Sequence, residues 1–185
     1  VLPPIPVLES SSLTMGHVNV ALDSDGVARF SYPVIRYKDE FYPSLSLQLA
    51  RIFLGYEPEE MRIEFNDGIQ LGDIWIPTDN SMRLITNFHG PNKTFPICSV
   101  VDVLAGRVAK SAFAGKIVLL GASAIGVVDS FVTPFSAVLT GTERLATVID
   151  NILNQESLLR RNFMWLIEIA IAIAGSVFLG WASAR

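Results

Sequence analysis

Ser123, in Gly121-Ala122-Ser123-Ala124-Ile125-Gly126, is the residue of this sequence that comes nearest to a familiar chemical arrangement. The run approaches the nucleophile turn G-x-S-x-G, but its second glycine falls one position late. A nucleophilic serine also needs a base within hydrogen-bond reach. The two histidines, His17 and His89, stand in separate hairpin regions, and sequence brings neither one to Ser123. The same loop resembles a phosphate-binding turn after a strand, yet lacks both G-x-G-x-x-G spacing and the Lys-Ser/Thr of a P-loop. A binding role suits it better than catalysis, so no catalytic residue is assigned. Gly121 and Ser123 offer backbone donors and a hydroxyl, and Asp129 and Thr133 follow on the same connection. These four are the candidate ligand-binding residues. The competing use for Asp129 and Thr133 is to tie the loop together by side-chain-to-backbone bonds.

Asp23-Ser24-Asp25-Gly26 suggests a calcium loop at first sight. Aligning Gly26 with the required glycine puts Ala21 at the first ligand position and Tyr32 where the closing glutamate belongs, so a hairpin turn explains these residues better. The two histidines have no neighbouring acids in sequence, and the single cysteine, Cys98, supplies no cluster. No metal and no cofactor are expected, and Cys98 reads as a small buried hydrophobe. Asn92-Lys93-Thr94 fits a glycosylation sequon, which matters only in a eukaryotic secretory setting.

The elements that would position these residues are mixed α and β. Val1-Leu2-Pro3-Pro4-Ile5-Pro6 reads as extended, because each proline removes a donor and restrains its predecessor. Gly16–Leu22 and Val27–Tyr32 flank the Asp23–Gly26 turn as a hairpin. Pro43-Ser44 opens a helix with Leu45, Leu49, Ile52 and Phe53 at helical spacing, ended by Gly55. A second hairpin joins Arg62–Phe65 to Ile69–Leu71, and a third joins Asp73–Pro77 to Arg83–Phe88. Ser99 and Asp102 have capping-box spacing at the head of a short helix to Ala105. Lys116–Gly121 is an apolar run ending at glycine, the pattern of a strand buried on both faces. Gly141-Thr142-Glu143 leads into a helix with Leu145, Val148, Ile149, Ile152 and Leu153 on one face. The fold class is α/β, a mixed α+β sheet with hairpins and flanking helices, followed by one transmembrane helix.

That last helix comes from Phe163–Trp181, 19 residues with Glu168 the only charge, close to the ~20 needed to span a hydrocarbon core. Trp165 and Trp181 sit near its ends as interfacial aromatics do, and Arg160-Arg161 and Arg185 bracket it. A buried helix of a soluble protein is the alternative. Glu168, one turn in, fits the interface or a helix–helix contact. Among 185 residues 50% are apolar, with mean hydropathy +0.42 and net charge −4. With no clustered Lys and Arg, nucleic acid is not an expected partner. The expected domain organisation is one globular domain over 1–160 and a transmembrane helix over 161–185.

Gly16-His17-Val18-Asn19-Val20, Asp23–Arg29 and Pro43-Ser44-Leu45-Ser46-Leu47 resemble the second class of CHASE domain, the cyclases/histidine kinases associated sensory extracellular domain. Asn87-Phe88-His89-Gly90-Pro91, Phe113–Ala122, Asp129 with Thr133-Pro134, and Gly141-Thr142-Glu143 into Ile149–Leu153 follow in the family's order over about residues 1–160. The sequence departs from the family at Leu145-Ala146, where members often carry His-Ala. The resemblance implies that residues 1–160 are a sensory domain outside the cytoplasmic membrane, incomplete at its N-terminal side. It would feed an adenylate or guanylate cyclase, making cyclic AMP from ATP in the first case, or a histidine or serine/threonine kinase. The alternative is a structural module that holds receptor chains together. Arg160-Arg161 would by themselves favour the cytoplasmic side, but large domains translocate largely regardless of charge. The expected partners are membrane lipid through Phe163–Trp181, an unidentified small-molecule or protein stimulus, and a second copy in a homodimer.

Overall fold

The computed structural model describes residues 5–122, 129–158 and 164–183, with Trp165 described in its backbone only. Helix α1 (Pro6–Ser11) begins at a proline, which stands where a helical N–H has no partner to lose. Strands β1 (Val20–Ala21) and β2 (Phe30–Ser31) pair antiparallel, Val20 opposite Ser31, and the Asp23–Gly26 turn lies in the loop between them. The expected hairpin is present with two-residue arms. A hairpin not expected from the sequence follows, β3 (Val34–Tyr37) with β4 (Glu40–Pro43). It turns at Lys38, whose φ of 56° lies in the left-handed region that a glycine normally supplies.

Helix α2 (Leu45–Leu54) starts and stops where expected. The Ser44 hydroxyl accepts the Leu47 N–H at 3.2 Å, and Gly55 closes the helix at φ 78°. Its inner face differs from the expected stripe. Leu47, Ala50 and Arg51 are buried, whereas Leu45, Leu49 and Ile52 are half-buried and Phe53 is exposed. The helix is turned this way because Leu47 and Ala50 meet a second helix and a sheet in one core.

That sheet is a meander of β5 (Met61–Glu64), β6 (Gly68–Leu71) and β7 (Ile74–Pro77), with Ile63 opposite Ile69 and Ile69 opposite Ile76. Ile69, Leu71, Ile74 and Ile76 alternate onto the buried face, as a period of two requires. The second expected hairpin is therefore present, but the third is not. Strand β7 pairs with β6, and β8 (Leu84–Ile85) crosses to pair antiparallel with β2, completing the order β1-β2-β8. Asp79 sends the chain away, its carboxylate accepting the Ser81 and Arg83 N–H groups and pairing with the Arg83 guanidinium at 2.8 Å.

Helix α3 (Val100–Leu104) forms after Ser99, but the Ser99 side chain makes no cap and Asp102 pairs with Arg107 instead. The strand expected over Lys116–Gly121 does not form. Ile117 and Leu119 are half-buried while Val118 is 58% and Leu120 82% exposed, and no described strand ladders with them. Without a neighbour to take its N–H and C=O groups, an apolar run has no means of being a buried strand. Cys98 is exposed rather than buried.

Strands β9 (Ser130–Phe131) and β10 (Leu139–Thr140) form a short hairpin that leads into helix α4 (Gly141–Asn154). Val148 and Ile152 of α4 join Leu47, Ala50, Val34, Leu84 and the meander isoleucines in the core. Leu158, just beyond α4, donates its N–H to Ile85 of β8 at 3.3 Å. Helix α5 (Met164–Ser183) then runs for 20 residues, and none of its Leu166–Ser183 stretch, of mean hydropathy 1.8, is buried inside the fold. It is long and apolar enough to cross a membrane.

Candidate functional site

The polar residues of the interior collect at the head of α4. Thr140 caps that helix through its hydroxyl, which accepts the Glu143 N–H at 3.2 Å, while the Asp129 carbonyl accepts the Gly141 N–H at 3.1 Å. One turn of helix then carries Glu143 and Arg144, each only 5% exposed, to opposite duties. Glu143 accepts the Thr94 N–H at 2.8 Å and fixes the loop beyond His89; its second oxygen, Oε2, is buried without a partner. Arg144 reaches into the β1–β2–β8 sheet, where Nη1 donates to the Ser31 hydroxyl at 2.8 Å. Ser31 in turn shares a 3.2 Å bond with Thr86, two neighbours on paired strands whose register places them face to face. The guanidinium carbon lies 5.5 Å from the centroid of the Phe131 ring.

His17 stands on the segment before β1. Its backbone bridges Pro43 and Leu45 at the head of α2, donating to one at 3.1 Å and accepting from the other at 2.9 Å. Nδ1 of the ring accepts the Asn19 N–H at 3.3 Å. A neutral imidazole with Nδ1 as acceptor carries its proton on Nε2, and that atom is buried without a partner among the described residues. Burial first, and the Arg144 charge second, push His17 down to about 4 from its ordinary 6.5, so the ring is neutral at pH 7. Burial likewise pushes the Arg144 guanidinium down to about 10. Among the described residues, Arg144 Nε, His17 Nε2 and Glu143 Oε2 are buried without a hydrogen-bond partner, two donors and one carboxylate oxygen.

The residues singled out in the sequence fall around this cluster rather than in it. A Cβ on Gly121 would collide with the Thr142 side chain, so the end of the Phe113–Gly121 run sits against the first turn of α4. Ser123 lies outside the described residues. Asp129 is exposed and its carboxylate makes no hydrogen bond among the described residues; its role in the geometry is the carbonyl that meets Gly141. Thr133 is 6% exposed and is engaged inside its own turn, donating to the Ser136 carbonyl and accepting the Ser136 N–H. Asp23 and Asp25 both pair with Arg29, at 2.9 and 2.7 Å, which is the hairpin use of these acids.

His89 corrects one premise of the sequence reading, that neither histidine has acidic neighbours. The fold brings Asp150 to 2.8 Å and Glu156 to 3.9 Å from its Nε2. Asn151, fully buried, holds this corner by a two-bond clamp, donating to the Asn87 carbonyl at 3.0 Å and accepting the Asn87 N–H at 2.8 Å. Sequence reasoning missed Arg144 and Asn151, although a signal existed. With Val148 and Ile152 they stand at i, i+4, i+7 and i+8, so two polar residues occupy the core-facing stripe of an amphipathic helix.

The family model described as CHASE2 domain matches residues 3–182. No curated protein and no solved structure matches the chain.

Proposed function

The chain belongs to the CHASE2 domain family, an extracellular sensor domain of signalling receptors, and from that premise we propose that it is the extracytoplasmic sensor of a transmembrane nucleotide cyclase. As a sensory domain the segment is non-catalytic; the cyclase chemistry, ATP to cyclic AMP, belongs to a cytoplasmic output domain. A histidine or serine/threonine kinase is the alternative output. The observation that carries the reading is the course of α4, whose head holds the buried polar cluster and whose tail leads, past the Leu158–Ile85 bridge, to the apolar helix α5. A stimulus that shifts α4 in the core is thereby presented to the membrane helix, and a second copy of the receptor supplies the partner helix in a homodimer.

Membrane lipid is the proposed partner of α5, because the helix has no polar face to offer water. The full chain is expected to need detergent, while a chain truncated after Arg161 stays in solution without it. Analytical ultracentrifugation decides this. A detergent-free monomeric full chain would remove the membrane assignment.

The stimulus is proposed to be read at the loop that carries Gly121, Ser123, Asp129 and Thr133, of which Gly121 and Asp129 meet the head of α4. Asp129 is the residue to test, since its exposed carboxylate has no described structural bond to lose. In the full-length receptor, Asp129→Asn is expected to abolish the stimulus-dependent change in cyclic AMP production with less than about 2 °C change in Tm. A fall of several degrees with the response intact would make the aspartate structural. A receptor whose output ignores deletion of residues 5–158 would not be using this domain as a sensor.

A further inference from the structure

His89, Asp150 and Glu156 form a separate polar cluster towards the tail of α4. His89 Nε2 lies 2.8 Å from Asp150 Oδ2 and 3.9 Å from Glu156 Oε2, and one nitrogen and two carboxylate oxygens fall within 4.8 Å of one another. The three side chains are 27%, 33% and 50% exposed, so an ion can reach them from water. Asn151 positions the first two. Its clamp on Asn87 fixes the segment that carries His89 two residues further on, and Asp150 precedes it in the helix. Glu156 is turned back under the helix end by Gln155, at a left-handed φ of 55°, and by its own N–H, which donates to the Asn151 carbonyl at 3.0 Å. The charges here do not balance. Asp23, Asp25, Asp39, Asp79 and Asp102 each pair with an arginine, whereas Asp150 and Glu156 have no arginine or lysine partner among the described residues. The last turn of α4 holds no basic residue either, although its free carbonyls make a negative pole that ordinarily attracts one. Two carboxylates at such a pole, beside an imidazole nitrogen, ask for a cation.

We propose that His89, Asp150 and Glu156 bind a divalent transition-metal ion, of which zinc fits the ligand set best. An imidazole nitrogen with two carboxylate oxygens is a zinc-type donor set, whereas calcium and magnesium take oxygen ligands. Around a tetrahedral zinc with bonds of about 2.0–2.1 Å, ligand atoms stand about 3.3 Å apart. The His89–Asp150 pair, at 2.8 Å, therefore opens by about half an ångström, and the His89–Glu156 pair, at 3.9 Å, closes by about as much. Side-chain rotation supplies both movements, and water completes the shell. Nε2 ligates only without its proton, which passes to Nδ1 or to the buffer on binding. The ligands come from the segment after β8, from α4 and from the turn beyond it, so the ion ties these together just before the chain enters α5. No acid stands near His89 in the chain, which is why the sequence points to no metal here. What the ion does for signalling rests on the sensor reading above, but occupancy of the site does not.

Occupancy is therefore measured without any output domain, by thermal melting of the full chain, stripped with chelator, in a neutral detergent. Zinc chloride is compared with calcium chloride at equal concentration. At about a hundredfold excess over Kd, zinc is expected to raise Tm by about 5–10 °C, reversibly on adding chelator, and calcium by less than half as much. In His89→Gln the zinc rise is expected to fall below half of the native one. Cys98→Ser is expected to keep the rise in full, which separates the site from the exposed thiol. No zinc rise in the native chain, an equal rise with calcium, a rise that stays above half in His89→Gln, or its loss in Cys98→Ser each overturns the site. Should His89→Gln fail to fold, Glu156→Gln decides, since that half-exposed side chain makes no hydrogen bond among the described residues. A zinc rise below half of the native one supports the site, and a larger one overturns it.

Discussion

Asn151→Ala is expected to destabilise the fold by about 2–4 kcal/mol, more than any other polar substitution outside the Arg144 cluster. The side chain is fully buried and makes two bonds to one backbone unit, Asn87, 64 residues away, besides a 3.4 Å contact with His89 Nε2. Losing two such bonds removes about 1 kcal/mol each, and the Asn87 N–H and C=O are left half-buried without their partner. A cavity in place of the carboxamide adds to that. The measurement is a denaturant midpoint in detergent, or a fall in Tm of roughly 5–15 °C for a chain of this size. Asn151→Asp separates the two bonds, for it keeps an acceptor towards the Asn87 N–H but turns an oxygen towards the Asn87 carbonyl. It is expected to be at least as harmful as alanine. A loss below about 1 kcal/mol for both variants would mean that α4 and the segment after β8 are held by the apolar core alone.

Acid is expected to weaken the fold in the window between pH 6.5 and about 4, through His17. The folded protein holds this ring neutral down to about 4, whereas the unfolded chain protonates it near 6.5. Within that window the unfolded state binds more protons, so stability rises with pH and is lost as pH falls. Without screening the difference amounts to about 3.4 kcal/mol, and the half-exposure of the ring reduces it to roughly 1–2 kcal/mol. His17→Gln should flatten the native slope, and the comparison of the two proteins isolates His17 from carboxylates that titrate below pH 5. Identical slopes between pH 6.5 and 5 would show that the imidazole is not held neutral by burial beside Arg144.

What the sequence revealed about this fold was mostly local. The Ser44 cap, the Gly55 stop and the second hairpin are written in residues close together in the chain, and each is present, the hairpin turning through Phe65, Asn66 and Asp67 with Gly68 already paired to Glu64. Pairing between distant segments was not legible in the same way. Arg83–Phe88 reads equally well as the return arm of a local hairpin or as a strand for β2, and only the Asp79 loop and the space beside Phe30 and Ser31 decide for the latter. Lys116–Gly121 carries the composition of a buried strand, but burial is a property of neighbours and not of the run itself. The candidate site suffered from the same limit. Asp129 and Thr133 were visible as loop residues, whereas Arg144 and Ser31 meet only when α4 crosses a sheet more than a hundred residues earlier.

The Leu158–Ile85 bridge also sets a distance. Leu158 is the last described residue before α5, and five residues separate it from Met164. Fully stretched, the six steps between those two Cα atoms reach about 20 Å. The hydrocarbon core of a bilayer is about 30 Å thick. The first turn of the apolar helix and the outer strand of the β1–β2–β8 sheet are therefore joined by a leash shorter than the membrane is thick.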